Sequence, residues 1–238
     1  MKFLICSIVR NRVSYLNGWI EQIKSVIEQM PDHEFSLAVY ENDSEDGTKE
    51  WFGDLFSFEN LFNQVVVEME DLFTPEFGSV KDSHRVQLLA EARNKCLDLI
   101  DIKDYDKVVW IEPDVSYNPE QIVDLLLKST DWDIISGTTY LPNSSVLYDS
   151  WATRLNQGDR HWRGHNELAD IRDKEIFPLW ATFNGVCVYS AQGFVDGAIF
   201  EGWFNGYYEC DTTVICENFR KLGYDKIALM PNVEIVHP

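Results

Sequence analysis

Positive charge is scarce in this chain. Twenty Lys and Arg stand against forty Asp and Glu, a formal net charge of −20 at pH 7 over 238 residues. A surface this acidic repels DNA, RNA and anionic lipid, so no nucleic-acid partner is expected. It also sets a condition: a phosphate-bearing ligand needs a local basic pocket or a divalent metal. Long apolar runs are missing as well. None approaches the ~20 residues that span a bilayer, so no membrane span is expected. The stretch Phe3–Val9 is interrupted by Cys6 and Ser7 and followed by Arg10 and Arg12, which suits a strand better than a secretory leader. Cysteine is sparse and odd in number: Cys6, Cys96, Cys187, Cys210 and Cys216, with no CxxC pair. That indicates neither a disulfide framework nor a zinc ribbon, and it leads us to expect a soluble, cytoplasmic protein. Three glycine-dependent signatures are also absent: GxGxxG after a strand, the GxxxxGK phosphate loop, and GxSxG. A dinucleotide dehydrogenase, a P-loop enzyme and a serine hydrolase are therefore disfavoured.

Apolar residues make up 45% of the chain, enough for a substantial core and too many for disorder. The first half alternates short β-branched runs with helical periodicity. KFLICSIV, FSLAVY, NQVVVEM, KVVWI and DWDIISG predict strands. Helices are expected over 15–29, from Thr48 through TKEWFGDLF, and over HRVQLLAEARNKCLDLI, whose Val86, Leu89, Ala90, Cys96, Leu97 and Ile100 form an apolar stripe. Asn118 before Pro119 predicts a capped helix start. In the second half, residues 142–175 read as a long loop region, LWATFNGVCVYS as a strand, and ECDTTVICENFRKLG as a helix ended by Gly223. KIALMPNVEIVHP reads as a final strand pair or extended tail. This order predicts an α/β fold with a mostly parallel central sheet flanked by helices. Ligands in such sheets sit at the carboxyl ends of the strands. Polar clusters fall at those ends: Arg10-Asn11-Arg12 after the first strand, ENDSEDGT after the second, Glu112-Pro113-Asp114 after the fourth.

Each cluster has a chemical reading and a bland one. Glu112 and Asp114 can turn toward one ligand on an extended chain and offer oxygens to Mg²⁺ or Mn²⁺; acid-x-acid triplets are also common in so acidic a chain. Glu41 and Asp43 suit hydrogen bonds from a base or ribose, with Ser44 in the turn; the same residues suit an ordinary helix-entry turn. Arg85 and Arg93, about two turns apart on one helix, lie close to one face and suit a diphosphate, with Asn94 beside them; salt bridges to nearby acids explain them equally well. The segment EGWFNGYYECD carries four aromatics. Trp203 suits stacking on a sugar, and Glu209 or Asp211 suits a general base or nucleophile. At least two of the four aromatics, Phe204 and Tyr207 first among them, are expected in the core. His237 suits Mn²⁺ beside carboxylates. His161 and His165 have helical metal-pair spacing in a poorly helical setting.

The stretches YENDSEDGT, HRVQLLAEARNKCLD, VVWIEPDVSYNPEQIVDLL, LYDSWATRLNQG, FNGVCVYSAQGF and YECDTTVICENFRKLGYDKIALMPNV span most of the chain. Together they resemble a glycosyltransferase of the GT-A fold, and more narrowly the fungal capsule-associated α-1,3-mannosyltransferase family. The resemblance implies one GT-A domain over 1–238, with a nucleotide-sugar half over about 1–117 and an acceptor half over 118–238. It implies a GDP- or UDP-linked sugar donor, a glycan or other hydroxyl acceptor, and Mn²⁺ or Mg²⁺. By it, Asp114 is the acid of the metal motif, Glu41, Asp43, Arg85, Arg93 and Asn94 lie by the donor, Tyr148, Asp149 and Trp151 match a family stretch, and Glu209 and Asp211 sit near the reacting carbon. Our own reading adds Glu112 and His237 to the expected metal ligands, Arg10, Asn11, Arg12 and Ser44 to the donor site, and, with Tyr148, Asp149 and Trp151, Asn184 and Trp203 to the acceptor site. Pro113-Asp114 stands where the family often has Asn-Asp, and Arg154-Leu155 where it often has Arg-Asp, so the sugar's identity is not carried over. Members of the family are typically membrane-anchored, and the missing anchor here fits a soluble bacterial or viral relative. Two rival readings remain: a nucleotidyltransferase acting on a sugar phosphate, which normally wants a Gly-rich basic loop where SIVRNR stands, and a sugar-binding relative without catalysis.

Overall fold

KFLICSIV forms β1 (Lys2–Val9), buried from Phe3 through Val9 apart from half-buried Ile8. Burial on both sides marks a central strand, and that is its place: β1 pairs in parallel with β2 (Glu34–Asn42) on one side and β4 (Lys107–Ile111) on the other. The computed structural model describes residues 1–53, 60–79, 81–144, 147–159 and 171–238. Within them the order continues with α1 (Val13–Glu28), α2 (Thr48–Gly53), β3 (Gln64–Glu70), α3 (Ser83–Asp98), β5 (Ser116–Tyr117), α4 (Pro119–Lys128), β6 (Ile134–Tyr140), β7 (Phe177–Pro178), β8 (Val186–Ser190), α5 (Ala191–Val195), β9 (Trp203–Phe204), β10 (Tyr207–Tyr208), α6 (Asp211–Lys221) and β11 (Ile227–Val236). One sheet of nine strands runs β3-β2-β1-β4-β8-β6-β11-β5, with β7 also on β11; β9 and β10 form a separate hairpin.

Six of the nine strands share a direction. β8 runs against both β4 and β6, and β5 and β7 run against β11. The expected mostly parallel α/β sheet is present, with this reversal in its middle. One core packs α1 and α4 on one face of the sheet; the other packs α3, α5 and α6 on the opposite face. Local signals explain the helix ends. Asn118 accepts from Glu120 N at 3.0 Å with Pro119 at the first turn. Asp82 caps α3 through His84 N and Arg85 N. Gly223, at φ 92, closes α6 with its N–H on Arg220 O while Tyr224 N reaches Phe219 O.

Three expectations change. LWATFNGVCVYS is a strand only over β8, because Asn184 and Gly185 take φ 58 and 70 and break the extended backbone. KIALMPNVEIVHP is one strand, β11, whose pairing with β6 shifts register between Leu229 and Glu234. None of the four hairpin aromatics is in the core: Phe204 is half-buried, and Trp203, Tyr207 and Tyr208 are exposed. Asn205-Gly206, at φ 52 and 82, makes the left-handed turn of a two-residue hairpin, which lifts the segment off the body. The expected helix TKEWFGDLF is described only to Gly53, and His161 and His165 lie outside the described residues.

Candidate active site

A cleft of about 1120 Å³ opens where β1, β2 and β4 end. Its floor is built from sequence-distant pieces. Glu112 follows β4, and its N–H donates to Gly185 O at 2.9 Å. Gly185 is needed there: a Cβ would come within 2.9 Å of Val115 Cγ1 and 3.5 Å of Glu112 Oε2. Asp114 takes Arg12 Nε at 2.7 Å on one oxygen, while His237 Nε2 stands 3.6 Å from the other. Tyr148 stacks on the His237 ring, centroids 4.0 Å apart and 13° from parallel. Glu112, Asp114 and His237 each offer one ligand atom, all within 4.8 Å of one another. Two carboxylate oxygens and one imidazole nitrogen are hard-to-borderline donors, so these residues fit Mn²⁺ or Mg²⁺.

Beside this trio lies a buried cation. Arg93 donates through Nε to Asp211 at 2.8 Å, and its Nη2 is 3.7 Å from Glu112. Its guanidinium packs among Trp110, Phe183 and Phe200 at 5.0, 4.6 and 5.7 Å from the ring centroids. Asp211 begins α6, where the helix dipole favours a carboxylate. Desolvation pushes the Glu112 carboxyl up to about 7, with Arg93 opposing and Asp114, Asp149 and Asp211 adding to the rise. Burial likewise raises the Asp149 carboxyl, against the N–H groups of Asn184 and Ala152 that hold its charged form.

Charge in the cleft differs from the rest of the molecule. Arg10, Arg12, Lys81, Arg85, Arg93 and Lys95 line it, against Glu76, Glu91, Glu112, Asp114, Asp149 and Asp211. That is six of twenty cations but only six of forty acids, so the cleft is close to neutral in a protein of net charge −20. The sequence reading passes over Lys81 and Lys95; the available signal was their clustering with Arg85 and Arg93, four of the chain's twenty cations within residues 81–95.

The other singled-out residues divide. Arg10, Asn11, Arg12, Arg85, Tyr148, Asp149 and Trp151 line the cleft. Asp43 is turned to the backbone: it accepts from the N–H groups of Leu72, Phe73 and Thr74 and from the Thr74 hydroxyl. Burial resists, yet these donors together with Asn42 hold its carboxyl well below the usual range. Glu41 is buried and receives Ser44 N, and Ser44 in turn receives Asn11 N. Asn94 binds the backbone of Phe200 in both directions. Buried Asn184 donates its N–H to Asp149 and its side-chain amide to Thr182. Glu209 is held by Arg154 at 2.9 Å and by Cys210 N. Trp203 stands on the hairpin, outside the cleft lining.

The fold is that of the GT-A glycosyltransferases. The S. aureus TarS 1-349 structure superposes with a TM-score of 0.60 at 14% identity, covering 100% of this chain and 60% of that one. The mannosyltransferase PcManGT from Pyrobaculum calidifontis, solved with GDP-Man and Mn²⁺, gives 0.58 at 13% identity over 99% of this chain and 56% of its own. The profile of the family described as cryptococcal mannosyltransferase 1 matches residues 2–220, and the chain belongs to that family. It is also 30% identical over 172 residues to the mannan polymerase II complex anp1 subunit of Schizosaccharomyces pombe (strain 972 / ATCC 24843), a match covering 63% of this chain and 39% of that relative. Among the described residues no helix is long and apolar enough to cross a membrane.

Proposed function

We propose that this chain transfers a hexosyl unit, mannose by its family, from a GDP- or UDP-linked sugar to a hydroxyl of a glycan acceptor. The observation that carries the reading is the Glu112, Asp114 and His237 trio beside a cleft that concentrates the chain's cations. A diphosphate brings negative charge that the rest of this surface repels. Arg10, Arg12, Lys81 and Arg85 line the place where it is bound, in the half formed by residues 1–117. Bound at the trio, Mn²⁺ or Mg²⁺ supplies Lewis-acid neutralisation of the leaving diphosphate. The acceptor enters from the half formed by 118–238, past Tyr148, Asp149 and Trp151. As the bond from the anomeric carbon to the diphosphate breaks and the bond to the acceptor oxygen forms, the acceptor's proton needs a base. We assign that role to Asp211, which lines the cleft and whose carboxylate accepts from Arg93 Nε at 2.8 Å.

The test is a thermal-shift screen of nucleoside diphosphates with and without Mn²⁺. A ligand that binds only the folded state stabilises it by RT ln(1 + [L]/Kd), about 2.7 kcal/mol at a hundredfold excess over Kd. We expect a metal-dependent shift with one base, lost in Asp114→Ala while the variant still unfolds cooperatively. No metal-dependent shift with any nucleoside diphosphate overturns the proposal.

A further inference from the structure

Among the described residues, the β9–β10 hairpin gathers three exposed aromatics outside the cleft. Trp203, Tyr207 and Tyr208 are 50%, 68% and 46% exposed. Two rungs join the strands, Trp203 opposite Tyr208 and Phe204 opposite Tyr207. Directly opposed residues share a face, so Trp203 and Tyr208 make one aromatic face, with rings 6.4 Å apart and 77° from parallel.

Two-residue strands do not hold a hairpin by themselves. This one is anchored at its base. Glu209 N donates to Gly202 O at 3.0 Å. Gly202 lies against α3 so closely that a Cβ would meet Gln87 N at 2.9 Å. Lys221 of α6 sits 5.0 Å from the Phe204 ring. The aromatic face is thus fixed to the same stretch of α3 that gives Arg85, Val86 and Leu88 to the cleft. Its outgoing strand runs through Glu209 directly into Cys210 and Asp211, which line the cleft.

We propose that this hairpin is a saccharide platform: it takes the acceptor's sugar ring next to the one that reacts, so the preferred acceptor is a neutral oligosaccharide and not a monosaccharide. The inference rests on the glycosyl-transfer reading of the cleft. Trp and Tyr give broad rigid surface with a polar edge, the form that suits a pyranose with one apolar face and a rim of hydroxyls. Glu209, paired with Arg154, and Glu201, held by Asn218, flank the hairpin; the overall charge of −20 disfavours acidic glycans. The hairpin's exit strand leads through Glu209 to Cys210 and Asp211 of the cleft, which favours a ligand shared with the cleft over an unrelated partner.

The test compares binding of monosaccharides with that of neutral α-linked di- and tetrasaccharides of mannose, glucose and galactose. Saturation-transfer NMR supplies the contact map and calorimetry the affinity. We expect at least one series to bind about tenfold tighter as a tetrasaccharide than as a monosaccharide. The Trp203→Ala/Tyr208→Ala double variant should lose that gain, and Trp203→Phe should keep most of it. The Mn²⁺-dependent nucleotide shift should be unchanged in all three proteins, so its failure in the parent chain would sink the cleft reading separately. Equal affinity for short and long sugars, a length gain that survives the double variant, or a double variant that converts a dimer to a monomer in sedimentation overturns the platform.

Discussion

Arg93 and Asp211 meet at 2.8 Å although 118 residues separate them in the chain. Both side chains are about 5% exposed, and Glu112 stands 3.7 Å from the guanidinium's Nη2. Arg93, on α3, thereby links the helix bearing the candidate base to Glu112, just after β4.

Removing the cation leaves two carboxylates without their partner in a desolvated place. Arg93→Ala should cost about 3–5 kcal/mol of folding stability. That corresponds to a fall of roughly 6–20 °C in Tm for a chain of this size. Adding Asp211→Asn to Arg93→Ala should recover part of the loss, because one uncompensated charge is gone. Calorimetry on both variants checks the sign of the coupling.

The Glu112 carboxyl gives a pH dependence. Its value in the fold is about 7 against an ordinary 4.5, so between those limits the folded chain holds a proton that the unfolded chain has released. Stability of the metal-free protein therefore falls as pH rises through that window. Mn²⁺ affinity should rise over the same range, since the ion takes the deprotonated carboxylate. Urea unfolding at pH 5 and pH 7.5 checks the first, with Glu112→Gln flattening the slope; Mn²⁺ titration checks the second.

Gly185 supports Glu112 through its carbonyl, at a φ of 70 and with no room for a methyl group. Gly185→Ala should destabilise the fold by about 1–3 kcal/mol. It should also weaken Mn²⁺ binding by about tenfold or more, as loss of support behind a ligand usually does. Nucleotide binding without metal should change far less. Parallel titrations with and without Mn²⁺ separate the two effects.

Asp43 has four hydrogen-bond donors in the 72–74 segment, and Phe73 there sits at φ 55 with 91% of its surface exposed. The carboxylate acts as a clamp on a strained turn. Asp43→Ala should cost about 1–3 kcal/mol by leaving those donors unmet. Limited proteolysis should then cut within 71–79 faster than in the parent. If nucleotide affinity falls without faster cleavage, Asp43 contacts the donor and is not a clamp.

Local patterns made much of this visible in the sequence. Asn118-Pro119, Gly223 and the buried runs of β1, β2 and β4 are written within a few residues and need no partner to be recognised. Glu112 and Asp114 were legible because a strand end in a parallel sheet points to the ligand side. The hairpin was misread because four aromatics in a row resemble a core segment, whereas Asn205-Gly206 dictates a turn. Arg154 with Glu209, and Arg93 with Asp211, were not legible as pairs, because periodicity says nothing about contacts across more than fifty residues. Asn94 and Asn184 look like site residues in sequence, but their amides bind backbone and threonine groups inside the fold.

The reversed strand β8 has one more consequence. Because it runs opposite to β4 and β6, the chain departs the rim after Tyr140 and returns to that same rim at Val186 without crossing the sheet. Among the described residues of the intervening stretch, only β7 on β11 and a single bridge from Leu147 to Tyr140 of β6 join the sheet. The connection from β6 to β8 thus meets the cleft at its own rim, through Tyr148, Asp149 and Trp151.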